Sequence, residues 1–231
     1  MTARARPAFY ALRRGGWRDY VTLLHPPYTL WHLSYVALGA ALAPRLDWPL
    51  LGWTALAFFL AMGVGAHALD ELQGRPLQTL IPARVLIALA VVSIGAACAI
   101  GCAIAVQRTL WLLAFVAVGG FIVVAYNLEL FGGAFHGGLW FPAAWGAFPV
   151  LTAYFAAAHT LRGAAVAAAA YAFATSWAQR TLSTPVRAVR RKPASEVTDA
   201  ERAMAQPAER ALQALAAASV LVAAAVLIVH P

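Results

Sequence analysis

Charge is scarce in this chain. Of 231 residues 11% are charged and only nine are acidic, while 62% are hydrophobic and the mean hydropathy is +0.72. Soluble domains are about 45–50% apolar, so this composition excludes one and describes an integral membrane protein. Cysteine is almost absent. Cys98 and Cys102 stand four apart inside one apolar run, where they share a helix face as small packing residues, and a metal site there needs further ligands. No short apolar segment with a small-residue cleavage site follows the basic N-terminus, so the reading is of a retained N-terminus without a removable signal peptide. There is no nucleic-acid motif and no internal repeat.

Long apolar runs are what the sequence has in abundance. Crossing roughly 30 Å of hydrocarbon takes about 20 helical residues. Seven runs of about that length are bounded by charge, proline or glycine: 27–43, 48–68, 83–106, 109–130, 139–158, 161–179 and 211–229. The sixth, with "AAVAAAAYAFA", is alanine-rich and also reads as a buried helix of a soluble bundle. The expected fold is an all-α polytopic bundle of about seven transmembrane spans over 25–231, preceded by a basic cytoplasmic arm at 1–24 and carrying a cytoplasmic connector at 180–210.

Five arginines (Arg4, Arg6, Arg13, Arg14 and Arg18) precede the first run, and positive charge near a span end stays in the cytoplasm. Seven spans then place fourteen basic residues inside and only Arg45, Arg108 and Arg162 outside. This predicts a multi-pass protein of the cytoplasmic membrane with its N-terminus inside and its C-terminus outside. The same rule, with anionic headgroups as the partner surface, accounts for the formal charge of +8 without nucleic acid. The acids follow suit. Only Asp47 falls outside, so any chemistry is expected on the cytoplasmic face.

The stretch "AHALDELQGRP" closes the second run. On a continuing helix His67, Asp70 and Glu71 stand at i, i+3 and i+4 with Arg75 four beyond Glu71, a compact patch of one imidazole, two carboxylates and one guanidinium. A charge at mid-bilayer costs roughly 2.5–3.5 kcal/mol on insertion scales, so the acids belong at a span end or in a wet cavity. An ordinary polar helix end with an internal ion pair gives the same pattern. Tyr126, Asn127 and Glu129 end the fourth run beside "FGGAFHGG", which reads either as a flexible interfacial loop or as a nest of backbone amides for phosphate. Glu129 is a candidate to complete a carboxylate cluster, and His136 a weaker candidate base or ligand. His32 and Tyr35, one turn apart in the first run, line a cavity or simply pack. In the connector, Arg180, Arg187, Arg190, Arg191 and Lys192 either grip phosphate oxygens bidentately or only fix topology. Beyond them Thr198 is the expected start of a helix, with Glu201 completing a capping box.

The runs "HPPYTLWHLSYVALGAALAP" and "FFLAMGVGAHALDELQGRP", with "AYNLELFGG" and "LWFPAAWGAFPVLTAYF" further on, resemble the UbiA-type intramembrane prenyltransferases over about residues 20–191. The resemblance implies a helical bundle around a cavity open to the cytoplasm, in which two aspartate-rich motifs hold Mg²⁺ ions that bind a prenyl diphosphate. Asp70 falls on the first aspartate of the first motif, His67 where asparagine is usual, and Arg75 with Pro76 on the Arg-Pro that follows. The implied function is Mg²⁺-assisted transfer of a prenyl group from its diphosphate to a lipophilic acceptor. Asp70 and Glu71 are the expected metal ligands, Glu129 a further ligand or base, and His67, Arg75, Tyr126, Asn127, Arg180, Arg187, Arg190 and Arg191 the expected substrate contacts.

Two departures qualify the resemblance. Gly74 stands where a second aspartate is expected, leaving Glu71 as the substitute, and "SWAQRTLSTPVRAVRRK" holds no carboxylate, so the second motif is missing. The family usually has nine spans. Two outcomes fit these departures: the arginines of the connector bind the diphosphate directly with one Mg²⁺ or none, or the site is degenerate and the protein binds an isoprenoid or lipid without turnover; a terpene-cyclising relative is a further alternative.

Overall fold

The computed structural model describes residues 7–193 and 195–230, and every element in it is helical. Arg4 and Arg6 lie outside the described residues. A short helix, α1 (Trp17–Leu23), leads to α2 (Pro26–Ala41), α3 (Trp48–Leu72), α4 (Ala83–Arg108) and α5 (Leu112–Asn127). Next, a π-helical stretch, Pro142–Ala147, runs on into Phe148–Ala158, and the two together are α6. Two long helices, α7 (Gly163–Arg191) and α8 (Asp199–Ile228), complete the chain. Three helices, α3, α4 and α8, are long and apolar enough to cross a membrane, while α5 is apolar but shorter.

Local chemistry sets most of these ends. Pro26 and Pro27 open α2, where a missing N–H costs nothing. Asp47 caps α3 by accepting from the Leu50 N–H at 3.0 Å. Across the same end of the bundle Asp47 pairs with Arg108, which locks the start of α3 to the finish of α4. The Thr198–Glu201 capping box forms in both directions. The connector differs from its expected form. α7 continues through Pro185 to Arg191, and α8 starts at Asp199 as one helix through Pro207, so the arginines of 180–191 ride on a helix.

Two groups of helices pack together. α2 lies against α6 and α8, and α7 against α8 and the first turns of α6, around Trp31, Tyr35, Val150, Ala172 and Leu212. α3 and α4 enclose a second core around Leu69, Ile81, Leu86 and Ala90. Glycine permits the closest approaches. A Cβ at Gly39 would strike the Val150 carbonyl of α6, and one at Gly146 the Ala172 carbonyl of α7, so these backbones touch where small residues allow it. Buried polar groups are paired across the same contact. Trp31 Nε1 donates to the Tyr35 hydroxyl at 2.5 Å, and that hydroxyl meets Thr175 Oγ1 at 2.6 Å, tying α2 to α7.

Both α3 and α6 widen into π-helix, over Phe59–Ala66 and Pro142–Ala147. Wider turns leave a carbonyl free of its usual partner, and each stretch hands one to a histidine. His67 Nδ1 donates to Gly63 O at 3.0 Å, and His32 Nδ1 donates to Trp145 O at 2.9 Å. The two stretches flank the end of the bundle where the arginines collect, a common setting for such irregularities.

Candidate functional site

At that end α3 stops at Leu72, and the segment from Gln73 to Pro82 folds into a tight loop with Gly74, Arg75 and Gln78 at positive φ. Glu71 organises it. The carboxylate is 0% exposed and accepts from Leu77 N at 2.9 Å, Thr79 N at 2.8 Å and Thr79 Oγ1 at 2.9 Å. Arg75 leaves the helix face altogether and donates to Ile81 O at 2.5 Å. The compact four-residue patch expected on a continuing helix therefore does not form, because the helix ends before Arg75. Asp19 of α1 reinforces the loop, accepting from Leu80 N at 2.7 Å and from Gly15 N at 2.9 Å.

Asp70 is left to face the site. Its carboxylate makes no hydrogen bond or ion pair among the described residues, and its charge is felt across the site by Arg187, His136 and Arg191. Arg187, on the last turns of α7, likewise makes no hydrogen bond or ion pair among the described residues. It lies within electrostatic reach of Tyr10, His25, Tyr28, Asp70 and Tyr126. Asp70 and the exposed Arg187 thus lie within electrostatic reach of each other from different helices and form no ion pair.

Aromatic and imidazole rings cluster beside them. The His25 and His67 rings stack with centroids 4.1 Å apart, and Tyr10 OH meets His25 Nδ1 at 2.5 Å. His25 Nε2 is buried and has no partner among the described residues. The Tyr126 ring sits 4.4 Å from both His136 and Trp145, and its hydroxyl accepts from Arg180 Nη1 at 2.6 Å. Arg180 also lies over the Phe141 ring at 5.9 Å. Asn127 turns back to its own helix, donating to Val123 O at 2.7 Å.

The remaining predicted residues are placed elsewhere or already engaged. Arg190 grips Glu209 through Nε at 3.0 Å and Nη2 at 2.7 Å, linking α7 to α8. Arg191 is exposed, near enough to act on Asp70 by charge alone. Glu129 is exposed at a left-handed backbone position, and its carboxylate has no hydrogen bond among the described residues. Lys192 pairs with Glu201. The sequence reading missed the N-terminal arm as part of the site. Tyr10, with Tyr28 of α2, packs over His25, and the apolar pair Phe9-Tyr10 in an otherwise basic arm was the one available signal.

Of the two expected metal ligands, only Asp70 keeps a carboxylate without partners among the described residues. Glu71 has given its oxygens to the loop, and no group of three His, Cys, Asp or Glu side chains that could hold a metal exists among the described residues. Asp70 remains, and one carboxylate completed by phosphate oxygens and water is a usual Mg²⁺ arrangement. Compared with known protein families, curated proteins and solved structures, the chain matches none.

Proposed function

We propose that the arginine-rich end of the bundle binds the diphosphate head of a prenyl diphosphate and that the protein passes the prenyl group to a lipophilic acceptor. The observation that carries this reading is that Asp70 and Arg187 lie within electrostatic reach of each other, neither paired among the described residues, beside a cluster of aromatic and imidazole rings. Arg187 and Arg191 supply guanidinium donors for the diphosphate oxygens. Asp70 would hold a Mg²⁺ ion, which would supply charge neutralisation for the leaving diphosphate. The C–O bond breaks with its electron pair going to the diphosphate, the rings of Tyr126, Phe141 and Tyr28 face the allylic cation, and the acceptor's electron pair forms the new bond as its proton passes to the released diphosphate.

Seven crossings are part of the proposal. The helices α2 to α8 stand at the positions of the seven apolar runs, and under seven alternating crossings the positive-inside rule assigns the arginine-rich end and the N-terminal arm to the cytoplasmic side. One observation favours binding without turnover as a second reading: Glu71 is committed to the loop, and α7 offers arginines in place of a second acidic motif. Release of inorganic pyrophosphate from prenyl diphosphates of several chain lengths, by the purified protein with Mg²⁺ or with EDTA, separates the two. Mg²⁺-dependent release lost in Asp70→Ala establishes transfer or cyclisation, which the organic products tell apart, whereas binding without release establishes the second reading.

A further inference from the structure

The N-terminal arm reaches the site through residues 7–14. The Tyr10 ring packs 5.4 Å from His25 and 5.6 Å from Tyr28, Phe9 meets Tyr28 edge-on at 6.3 Å, and Ala11 is buried. His25 in turn stacks on His67, which precedes Asp70 by one turn of α3. Tyr10 is thereby brought within electrostatic reach of both Asp70 and Arg187. Asp70 is only partly exposed, although it stands near the end of its helix and its carboxylate binds nothing among the described residues.

The arm turns on two glycines. Gly15 has φ +106°, and Gly16 has φ +65° with ψ −146°, conformations that residues with a side chain avoid. A Cβ at either would meet nothing within 4 Å, so the turn has room around it. The two sides of the turn are held differently. Beyond it, α1 is fixed through Asp19, whose carboxylate takes Gly15 N and Leu80 N, and through buried Thr22. Before it the chain forms no helix, and two bonds tie it down among the described residues: Tyr10 OH with His25 Nδ1 at 2.5 Å, and Leu12 N to Thr22 Oγ1 at 3.0 Å. A segment held by so little opens at low cost.

We propose that residues 7–14 are a lid over Asp70 and Arg187, hinged at Gly15 and Gly16 and latched by the Tyr10 hydroxyl on His25, which opens to admit an anionic ligand and closes behind it. Hinges of this kind are a few residues that absorb the backbone change. Arg13 and Arg14 are exposed on the lid, and their charge favours the approach of an anion. Closed, the lid keeps water from what lies beneath it. That the ligand is a prenyl diphosphate rests on the reading above, whereas the lid rests on the arm's own contacts.

The test first reads access to position 70 with no ligand present. In the full chain carrying Cys98→Ala and Cys102→Ala, Asp70→Cys is labelled with a charged, water-soluble maleimide. Tyr10→Phe, which loses the latch and keeps the ring, speeds labelling about fivefold, and Tyr10→Ala speeds it further. Ser195→Cys, on the exposed connector after α7, is labelled at one rate whichever residue stands at position 10. Equal Asp70→Cys rates in the three backgrounds would overturn the lid, as would a Ser195→Cys rate that rises in step, the mark of a generally loosened fold. With a prenyl thiodiphosphate as ligand, Tyr10→Ala raises the association and dissociation rates together. A rise in dissociation alone is the signature of an ordinary contact and would also overturn the lid. Faster labelling in a chain that binds no thiodiphosphate upholds the lid and refutes the diphosphate reading, so the two failures are distinguishable.

Discussion

The Thr79 N–H stands 2.8 Å from Glu71 Oε1, and the Thr79 hydroxyl reaches the same oxygen at 2.9 Å, while Leu77 N–H occupies Oε2. This makes Glu71 the anchor of the loop after α3 and leaves Asp70, one residue earlier, for the site. Removing the Glu71 carboxylate strands three buried donors, and Glu71→Ala is expected to destabilise the protein by about 3 kcal/mol. Asp70→Ala, which breaks no bond, is expected to change stability by less than about 1 kcal/mol. Unfolding in mixed SDS micelles measures both, and equal losses would contradict the division of labour.

Arg187 and Arg190 sit one turn apart on α7 and differ in the same way. Arg190 is closed on Glu209, both partly buried, so Arg190→Ala is expected to cost about 1–2 kcal/mol of stability and to leave diphosphate binding unchanged. Arg187→Ala has the opposite profile, with stability kept and binding reduced. Paired thermal-unfolding and binding titrations on the two variants read this directly.

His25 gives the protein a pH dependence. Burial, then the neighbouring His67 and Arg187, hold its imidazole well below the ordinary 6.5, so it is neutral in the folded chain. The unfolded chain takes up that proton first as pH falls. The stability His25 contributes is therefore complete above about pH 6.5 and is lost progressively below it. His25→Asn keeps the left-handed backbone at this position and removes the titration. Between about pH 7.5 and about pH 5.5 the wild type is expected to lose more unfolding free energy than the variant. Parallel curves for the two proteins would refute the assignment.

Backbone contact between helices limits what two glycine positions tolerate. A side chain at Gly39 or Gly146 meets a carbonyl, which cannot swing aside as a flexible side chain does. Gly39→Ala and Gly146→Ala are each expected to destabilise by about 2 kcal/mol, whereas Gly52→Ala, in open space, is neutral or mildly stabilising. The same micelle unfolding series checks all three.

Helix positions were legible in the sequence because apolar runs end at charge, proline and glycine, and the Thr198 cap announces itself by residue type and its spacing to Glu201. The site was legible only as a neighbourhood. A helical spacing rule assigns His67, Asp70, Glu71 and Arg75 to one face, but the chain leaves the helix at Leu72, and the positive φ values at Gly74, Arg75 and Gln78 turn the loop's own N–H groups onto Glu71. Nothing local to Asp70 and Glu71 distinguishes the two acids; the loop that follows does. The extension of α7 to Arg191 was hidden by Pro185 and by the fall in hydropathy, which marks where apolar residues stop and not where the helix stops. Tyr10 reached the site through tertiary contact alone.

The most direct measurement is equilibrium binding of a prenyl thiodiphosphate, a poorly ionising analogue, to the purified protein and to its Arg187→Ala, Asp70→Ala and Arg190→Ala variants. Within electrostatic reach but unpaired, Asp70 and Arg187 predict that the wild type binds, that Arg187→Ala weakens binding at least about tenfold, that Asp70→Ala weakens it only when Mg²⁺ is present, and that Arg190→Ala is unchanged. A wild type that does not bind the analogue, or an Arg187→Ala variant that binds as tightly as wild type, would contradict the account.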